Sequence, residues 1–200
     1  MPLVLASRSP QRRAILTQLG IPFEACPADV EELTEGDPET VAVENARRKA
    51  VALARQRPDA TVVGVDTIVV LGNGIHGKPA DAVAARATLA ALAGRDHVVV
   101  SGLCVVDPTV PGPGPEGPAS ASPAPRTAVA RTRVTFRSLD DVTLDWYVGT
   151  GEWRERAGGY AIQGRGAALV AELQGDYLNV VGLPVAALLD LLPGILQEFS

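Results

Sequence analysis

The chain reads as an α/β domain built on a mixed sheet. Three observations carry this. Short apolar runs bounded by turn residues alternate loosely with segments of helical period. One run, TVVGVDTIVVL at 61–71, is apolar on both alternating faces, as a strand covered on both sides must be. After it, Gly72-Asn73-Gly74 turns the chain into a short return through Ile75 and His76, which lays it back beside the same strand.

Residues 3–6 form the first expected strand. Ser9-Pro10 then opens a helix, with Ser as cap and Pro at the first helical position. Ile15, Leu16 and Leu19 make its apolar face, and Gly20 ends it. A strand at 23–27, an acidic loop at 31–38 and a long helix at 38–56 follow. Past the strand at 61–71 and its return, Asp81 caps an Ala-rich helix that Gly94 stops. A fourth strand covers 97–106. Residues 108–126, PTVPGPGPEGPASASPAPR, hold almost no large apolar side chain and predict a flexible loop inserted between strands. Glu116 is the single ligand-type side chain in it. Beyond it lie an alternating strand at 127–136, a helix at 139–148, a Gly-rich turn entering a strand, and a last helix opened by Pro184. Together these make one domain over 1–200 with the Pro/Gly-rich insert inside it.

Charge and composition narrow the function. The net charge is −5, so there is no global basic field to hold a nucleic acid polymer. Neither a secretory leader nor a run of about 20 apolar residues is visible, which predicts a soluble, cytoplasmic protein away from membranes. Cys26 and Cys104 lie in apolar stretches and read as core residues, and His76 and His97 are isolated, so zinc-type spacing is missing.

Three polar residues look out of place. Asp66 lies inside the apolar strand, where an unpartnered carboxylate costs several kcal/mol. It needs a metal, a cation or backbone donors; the bland alternative is a hydrogen-bonded Asp at a strand end or bulge. Lys49 shares a helix face with Ala42, Ala46 and Leu53. It either reaches a buried partner or sends its amine out to water. Arg12 falls one turn before Ile15 and Leu16, at a helix N-terminus suited to anions, and Arg13 adjoins it. Solvated surface arginines are the competing reading, most strongly for Arg13. Lys78 follows the return strand and so can share a site with Asp66. Glu31 and Glu32 have solvated charge as their default. One chemistry unites these groups: cations for triphosphate oxygens, and two carboxylates, Glu32 and Asp66, for a magnesium ion. Gly164 and Gly166 do not fit a dinucleotide loop, lacking the strand before and the helix after.

The blocks LASRSPQRRAIL, VEE, RRKA, GVDTIVVLGNGIHGKP, YVGTGEWRERAGGYAIQGRGA and GDYLNVVGLP run in order over nearly the whole chain. In them the sequence resembles the Maf family of nucleotide pyrophosphatases, first named as septum-formation inhibitors. The resemblance implies an elongated mixed sheet with flanking helices and a cleft between two lobes, similar to inosine triphosphate pyrophosphatases. It implies hydrolysis of a nucleoside triphosphate to the monophosphate and pyrophosphate with Mg²⁺ or Mn²⁺. Ser7, Arg12, Glu32, Lys49, Asp66 and Lys78 match the family's polar site residues, and Asp66 matches its proton acceptor. Asp66 can equally serve as a metal ligand, and sequence does not separate the two roles. Three positions associated with base choice are Gln11, Thr67 and Gln163. The last two match the branch acting on dTTP and UTP, whereas Gln11 replaces an Arg. Family analogy also allows a homodimer. The competing functions are a non-catalytic nucleotide-binding regulator of cell division and a pyrophosphatase of the 7-methyl-GTP type.

Overall fold

A computed structural model describes residues 1–114 and 117–196, with backbone alone over 111–114 and 117–122. Glu116 of the insert lies outside the described residues. The chain order is β1 (Leu3–Leu5), α1 (Pro10–Gln18), β2 (Glu24–Ala25), α2 (Pro38–Ala54), β3 (Thr61–Leu71), β4 (Gly74–His76), α3 (Ala82–Leu92), β5 (Asp96–Gly114), β6 (Gly117–Phe136), α4 (Asp141–Gly149), β7 (Val170–Gln174), α5 (Tyr177–Val181) and α6 (Val185–Leu191). Helix starts follow from local chemistry. Ser9, Asp37, Asp81 and Asp140 each accept a backbone N–H three residues on. No helix among the described residues is long and apolar enough to cross a membrane.

The sheet is mixed, in the order β2-β1-β3-β5-β6-β7, with β4 beside β3. β1 pairs parallel with β2 and β3, and the remaining pairs are antiparallel. β3 positions the site. On one side it pairs with β5 from Val62 to Val70. On the other it pairs with β1 over Thr61 to Val63 and with β4 over Val69 to Leu71. Among the described residues, no strand pairs with 64–68 on that second side, and the sheet carries a gap beside Asp66 and Thr67.

Side-chain alternation along β3 divides the core. Even residues face α2: Val62 packs with Ala46, Ala50 and Leu53, and Ile68 and Val70 pack with Val41 and Ala42. Odd residues face the other side and fall into two clusters. Val63 and Val65 join Leu5, Leu16 and Leu188, whereas Val69 joins Leu89, Phe136 and Tyr147. Thr67 lies in the seam between these two clusters, the physical basis of the expected two lobes.

α2 sits unusually close to the sheet. A Cβ on Gly64 would lie 2.1 Å from the Ala46 carbonyl oxygen, and one on Gly102 would lie 2.3 Å from that of Ala42. Glycine in β3 and β5 opposite alanine in α2 lets the helix backbone rest on the strands. That close approach brings Asn45 and Lys49 of α2 down to Asp66.

One expectation reads differently in the structure. Where a loop is expected at 108–126, β5 and β6 run on as an extended hairpin ribbon. The ladder is regular from Asp96↔Thr135 to Val106↔Pro125, then shifts register to reach Pro111↔Pro123, Gly112↔Ser120 and Gly114↔Gly117. Proline's fixed φ suits extended backbone, but its missing N–H interrupts the ladder. Composition registers the interruption and not the zippering outward from a core hairpin. α5 is also new: five residues capped by Asp176 are too short to show a helical period.

Candidate active site

Asp66 is buried, and both its oxygens are engaged. Oδ1 accepts from Lys49 Nζ at 2.8 Å, and Oδ2 accepts from Asn45 Nδ2 at 3.0 Å. Lys49 Nζ also meets Glu32 Oε1 at 2.9 Å. The lysine is buried, so its amine goes to carboxylates and not to water. Two carboxylates converge on one ammonium, and that geometry offsets the desolvation of the buried pair. Asn45 completes the group. Its Nδ2 also donates to the Leu33 carbonyl at 3.0 Å, and its Oδ1 accepts from Leu33 N at 2.7 Å. The acidic loop carrying Glu32 is thereby fastened to the helix that holds Asp66.

Arg12 organises the opposite side of the sheet gap. Nε donates to Gly182 O at 2.7 Å, and Nη1 donates to Ser7 Oγ at 3.0 Å and Val65 O at 2.9 Å. Nη2 donates to Thr67 Oγ1 at 3.1 Å. A guanidinium has five N–H groups, so one remains on Nη2. Val65 O belongs to the gapped stretch of β3, and Arg12 fills in for the absent strand there. Burial pulls the Arg12 guanidinium below its ordinary value, opposed by the negative charges of Asp66 and Glu32. Thr67 Oγ1 also lies 2.9 Å from the buried Ser101 hydroxyl. The Thr67 side chain is thus held by α1, β5 and the turn at Gly182.

These groups open on a cleft of about 610 Å³, lined by Ser7, Gln11, Arg12, Glu32, Lys49, Asp66, Thr67 and Lys78 among others. On its other wall, Lys78 Nζ pairs with Glu155 Oε2 at 2.8 Å, both side chains largely exposed. Arg156 follows and also lines the cleft. An apolar stretch of wall includes Val69, Val99 and Tyr160. Tyr160 is fixed from behind by His97, whose Nε2 lies 2.9 Å from the phenol oxygen. Burial lowers the His97 imidazole to about 4.

Of the residues singled out from sequence, two fall outside this lining. Arg13 is exposed on the outer face of α1, near Thr17 and Phe23. With 3.6 residues per turn, adjacent arginines leave a helix about 100° apart and so point in different directions. Gln163 is exposed in the turn before the short 3-10 segment Arg165–Leu169 and does not line the cleft. The glycines of that turn serve packing. The N–H groups of Arg165 and Gly166 donate to Glu152 at 3.0 and 3.2 Å.

Asn45, Ser101, Glu155 and Arg156 are site residues that sequence reasoning did not single out. Asn45 carries one signal, a neutral amide four residues before Lys49 on a largely apolar helix. For the others the signal is the fold itself.

Comparison with known proteins places the chain in a family. The family described as Maf-like protein matches residues 2–195. A dTTP/UTP pyrophosphatase of Deinococcus radiodurans is 40% identical over 193 residues, covering 96% of this chain and 92% of that protein. One from Pyrococcus furiosus is 41% identical over 192 residues, covering 95% and 93%. One from Moorella thermoacetica is 45% identical over 192 residues, covering 95% and 93%. Among solved structures, a nucleoside-triphosphatase described as a dITP/XTP pyrophosphatase from Mycobacterium abscessus overlaps 70% of this chain and 76% of its own. That overlap has 19% identity and a TM-score of 0.46. With a match across almost its full length and relatives of this identity, the chain belongs to the Maf-like protein family.

Proposed function

We propose that this chain is a cytoplasmic nucleoside triphosphate pyrophosphatase that hydrolyses dTTP and UTP to the monophosphate and pyrophosphate. The observation that carries the reading is the Glu32–Lys49–Asp66 group, its lysine and aspartate buried and its glutamate half-exposed, opening on a cleft large enough for a nucleotide. In the reaction a water oxygen bonds to the α-phosphorus and the bond to the bridging α–β oxygen breaks. Pyrophosphate leaves, and Asp66 takes the proton of the attacking water. Each Asp66 oxygen has one further lone pair beyond its bond to Lys49 or Asn45, so the carboxylate can still accept.

Glu32 and Asp66 fit a divalent cation. They offer oxygen donors only, which magnesium and manganese prefer, and they already converge on a positive group. When bound there, such a cation would lower the pKa of a coordinated water and neutralise phosphate charge. The protein's own side chains do the rest. Lys49 holds the two carboxylates together, and Lys78 brings an ammonium to the opposite wall. Arg12 keeps Ser7 and Thr67 at the gap and has one N–H to spare. Gln11 lines the same cleft and accepts from Ser9 Oγ at 3.0 Å. Its neutral amide offers the base both a donor and an acceptor, where an Arg would offer donors alone.

The test is pyrophosphate release by the purified protein with magnesium over dTTP, UTP, CTP, 7-methyl-GTP and modified pyrimidine triphosphates. Turnover is expected with dTTP and UTP. Asp66→Asn keeps the shape but cannot accept the proton, and is expected to lose roughly 10²–10⁴-fold in rate. Full activity in that variant refutes the assignment of Asp66. Silence across the panel refutes the enzyme and favours a nucleotide-binding regulator.

A further inference from the structure

The wall opposite Asp66 carries a second polar group that the reaction as written leaves unused. Its backbone is unusual first. Glu155 has φ of 58°, the single non-glycine residue with positive φ among those described. Strain of this kind persists where the surroundings over-determine it. Here they do. Gly158 N donates to Gly77 O at 3.1 Å, and a Cβ on Gly158 would lie 2.7 Å from Val69. A Cβ on Gly159 would lie 3.1 Å from Pro79. The turn at 154–160 is therefore fastened along the segment 77–79, and Lys78 and Arg156 come to the same rim.

Arg156 is the second anomaly. Its Nε is enclosed and has no hydrogen-bond partner among the described residues. Nη1 reaches only the Glu155 carbonyl, at 3.4 Å. Burial holds the guanidinium below its ordinary value, opposed by Tyr147, Glu152 and Glu155. An enclosed donor without an acceptor calls for an explanation, and a ligand is one. Beside it, the Glu155 carboxylate sits 2.8 Å from Lys78 Nζ, where a phosphate oxygen could sit instead. Both side chains of that pair are mostly exposed, and exposed pairs are weak enough to be exchanged. Two other cleft cations are less available: Lys49 is committed to two carboxylates, and Arg12 has one N–H left.

We propose that Arg156, together with Lys78, binds the pyrophosphate portion of the substrate, with the Glu155 carboxylate standing in for it on Lys78 when the cleft is empty. This rests on the pyrophosphatase reading, which puts attack at the α-phosphorus near Asp66 and leaves the β and γ phosphates to be held elsewhere. Guanidinium suits such a group because its paired N–H donors match two phosphate oxygens.

The experiment titrates the full-length protein with inorganic pyrophosphate by calorimetry, with and without magnesium, and measures kcat and KM for dTTP in parallel. Arg156→Met is expected to weaken pyrophosphate binding and raise KM at least tenfold, while kcat falls less than threefold. Arg156→Lys recovers part of the loss. Arg154→Met, whose guanidinium stacks on Trp153 away from the cleft lining, changes neither constant. Circular dichroism and the unfolding midpoint show whether each variant is folded, and the Lys variant decides if the Met variant is not. Equal pyrophosphate affinity in wild type and a folded Arg156 variant overturns the proposal. If the wild type releases no pyrophosphate from any nucleotide, the enzymatic reading fails, while the titration still decides for or against the anion subsite.

Discussion

Replacing Gly102 by alanine should uncouple the catalytic group from its strand without touching any member of it. The added Cβ would lie 2.3 Å from the Ala42 carbonyl carbon and oxygen and 2.5 Å from Val43 N, whereas ordinary contact starts at 3.4 Å. The obstructing atoms are helix backbone, so no rotamer change relieves the overlap. α2 must lift by about 1 Å, or β5 must bend away by as much. Overpacking of this kind costs about 1–3 kcal/mol. Asn45 and Lys49 lie one and two turns along the same helix from Ala42, and their bonds to Asp66 at 3.0 and 2.8 Å have little slack. A misplacement of about 1 Å can cost as much as 10²-fold in rate. Denaturant unfolding should show a lower midpoint with an unchanged slope, and kcat should fall by tenfold or more in protein that is still folded. Gly64→Ala, which meets Ala46 O at 2.1 Å, should behave alike. A Gly102→Ala protein with wild-type kcat and wild-type stability would refute the claim that the glycine–alanine contact sets the distance between α2 and Asp66.

Two further outcomes follow from the buried polar groups. His97 has its folded-state value lowered from 6.5 to about 4 by burial, so the unfolded chain binds a proton that the folded one does not. Stability is then full above pH 6.5 and falls as the pH drops toward 4, by about 3 kcal/mol in all. Urea midpoints between pH 7 and 4.5 measure this, and His97→Phe should fall less steeply than wild type; parallel curves would exclude the imidazole as the cause. Asn45→Leu keeps the branched side-chain shape but leaves Asp66 Oδ2 and the Leu33 backbone without their partner. It should cost about 1–3 kcal/mol of stability and lower kcat, with a smaller effect on KM; a loss confined to stability would mean that Asn45 anchors the loop without orienting Asp66.

Much of this architecture is legible in the chain because it is written in local chemistry. The strand at 61–71 declares itself by apolar residues on both faces, and its observed bounds, Thr61–Leu71, coincide with the reading. Caps such as Ser9 and Asp81 mark helix starts, since a short side-chain oxygen satisfies a free N–H there. Asp66 and Lys49 stand out as charges among apolar neighbours, and they meet. What is hidden depends on contacts between distant segments. Asn45 looks like an ordinary helix amide until the acidic loop folds over it. Arg13 and Arg12 are equivalent in composition, and only the direction each leaves the helix separates them. Arg156 is one more arginine in a charged run, and its enclosure comes from a turn fastened by glycines to residues 80 or more positions earlier. The ribbon at the insert is a different case, because pairing continues there as an extension of the regular β5–β6 ladder.

The gap in the sheet at residues 64–68 has a consequence for how this protein avoids sticking to itself. An unpaired strand edge is a template for pairing with another chain, and proteins usually blunt it with charge, proline or brevity. Here the open edge is internal. β1 and β4 flank it at either end, and the Arg12 guanidinium occupies the Val65 carbonyl in the middle. A foreign strand has no room to lie down along such a short recess, whereas a small molecule does. The main-chain groups of β3 are thus shielded from aggregation while staying available to whatever fits the cleft.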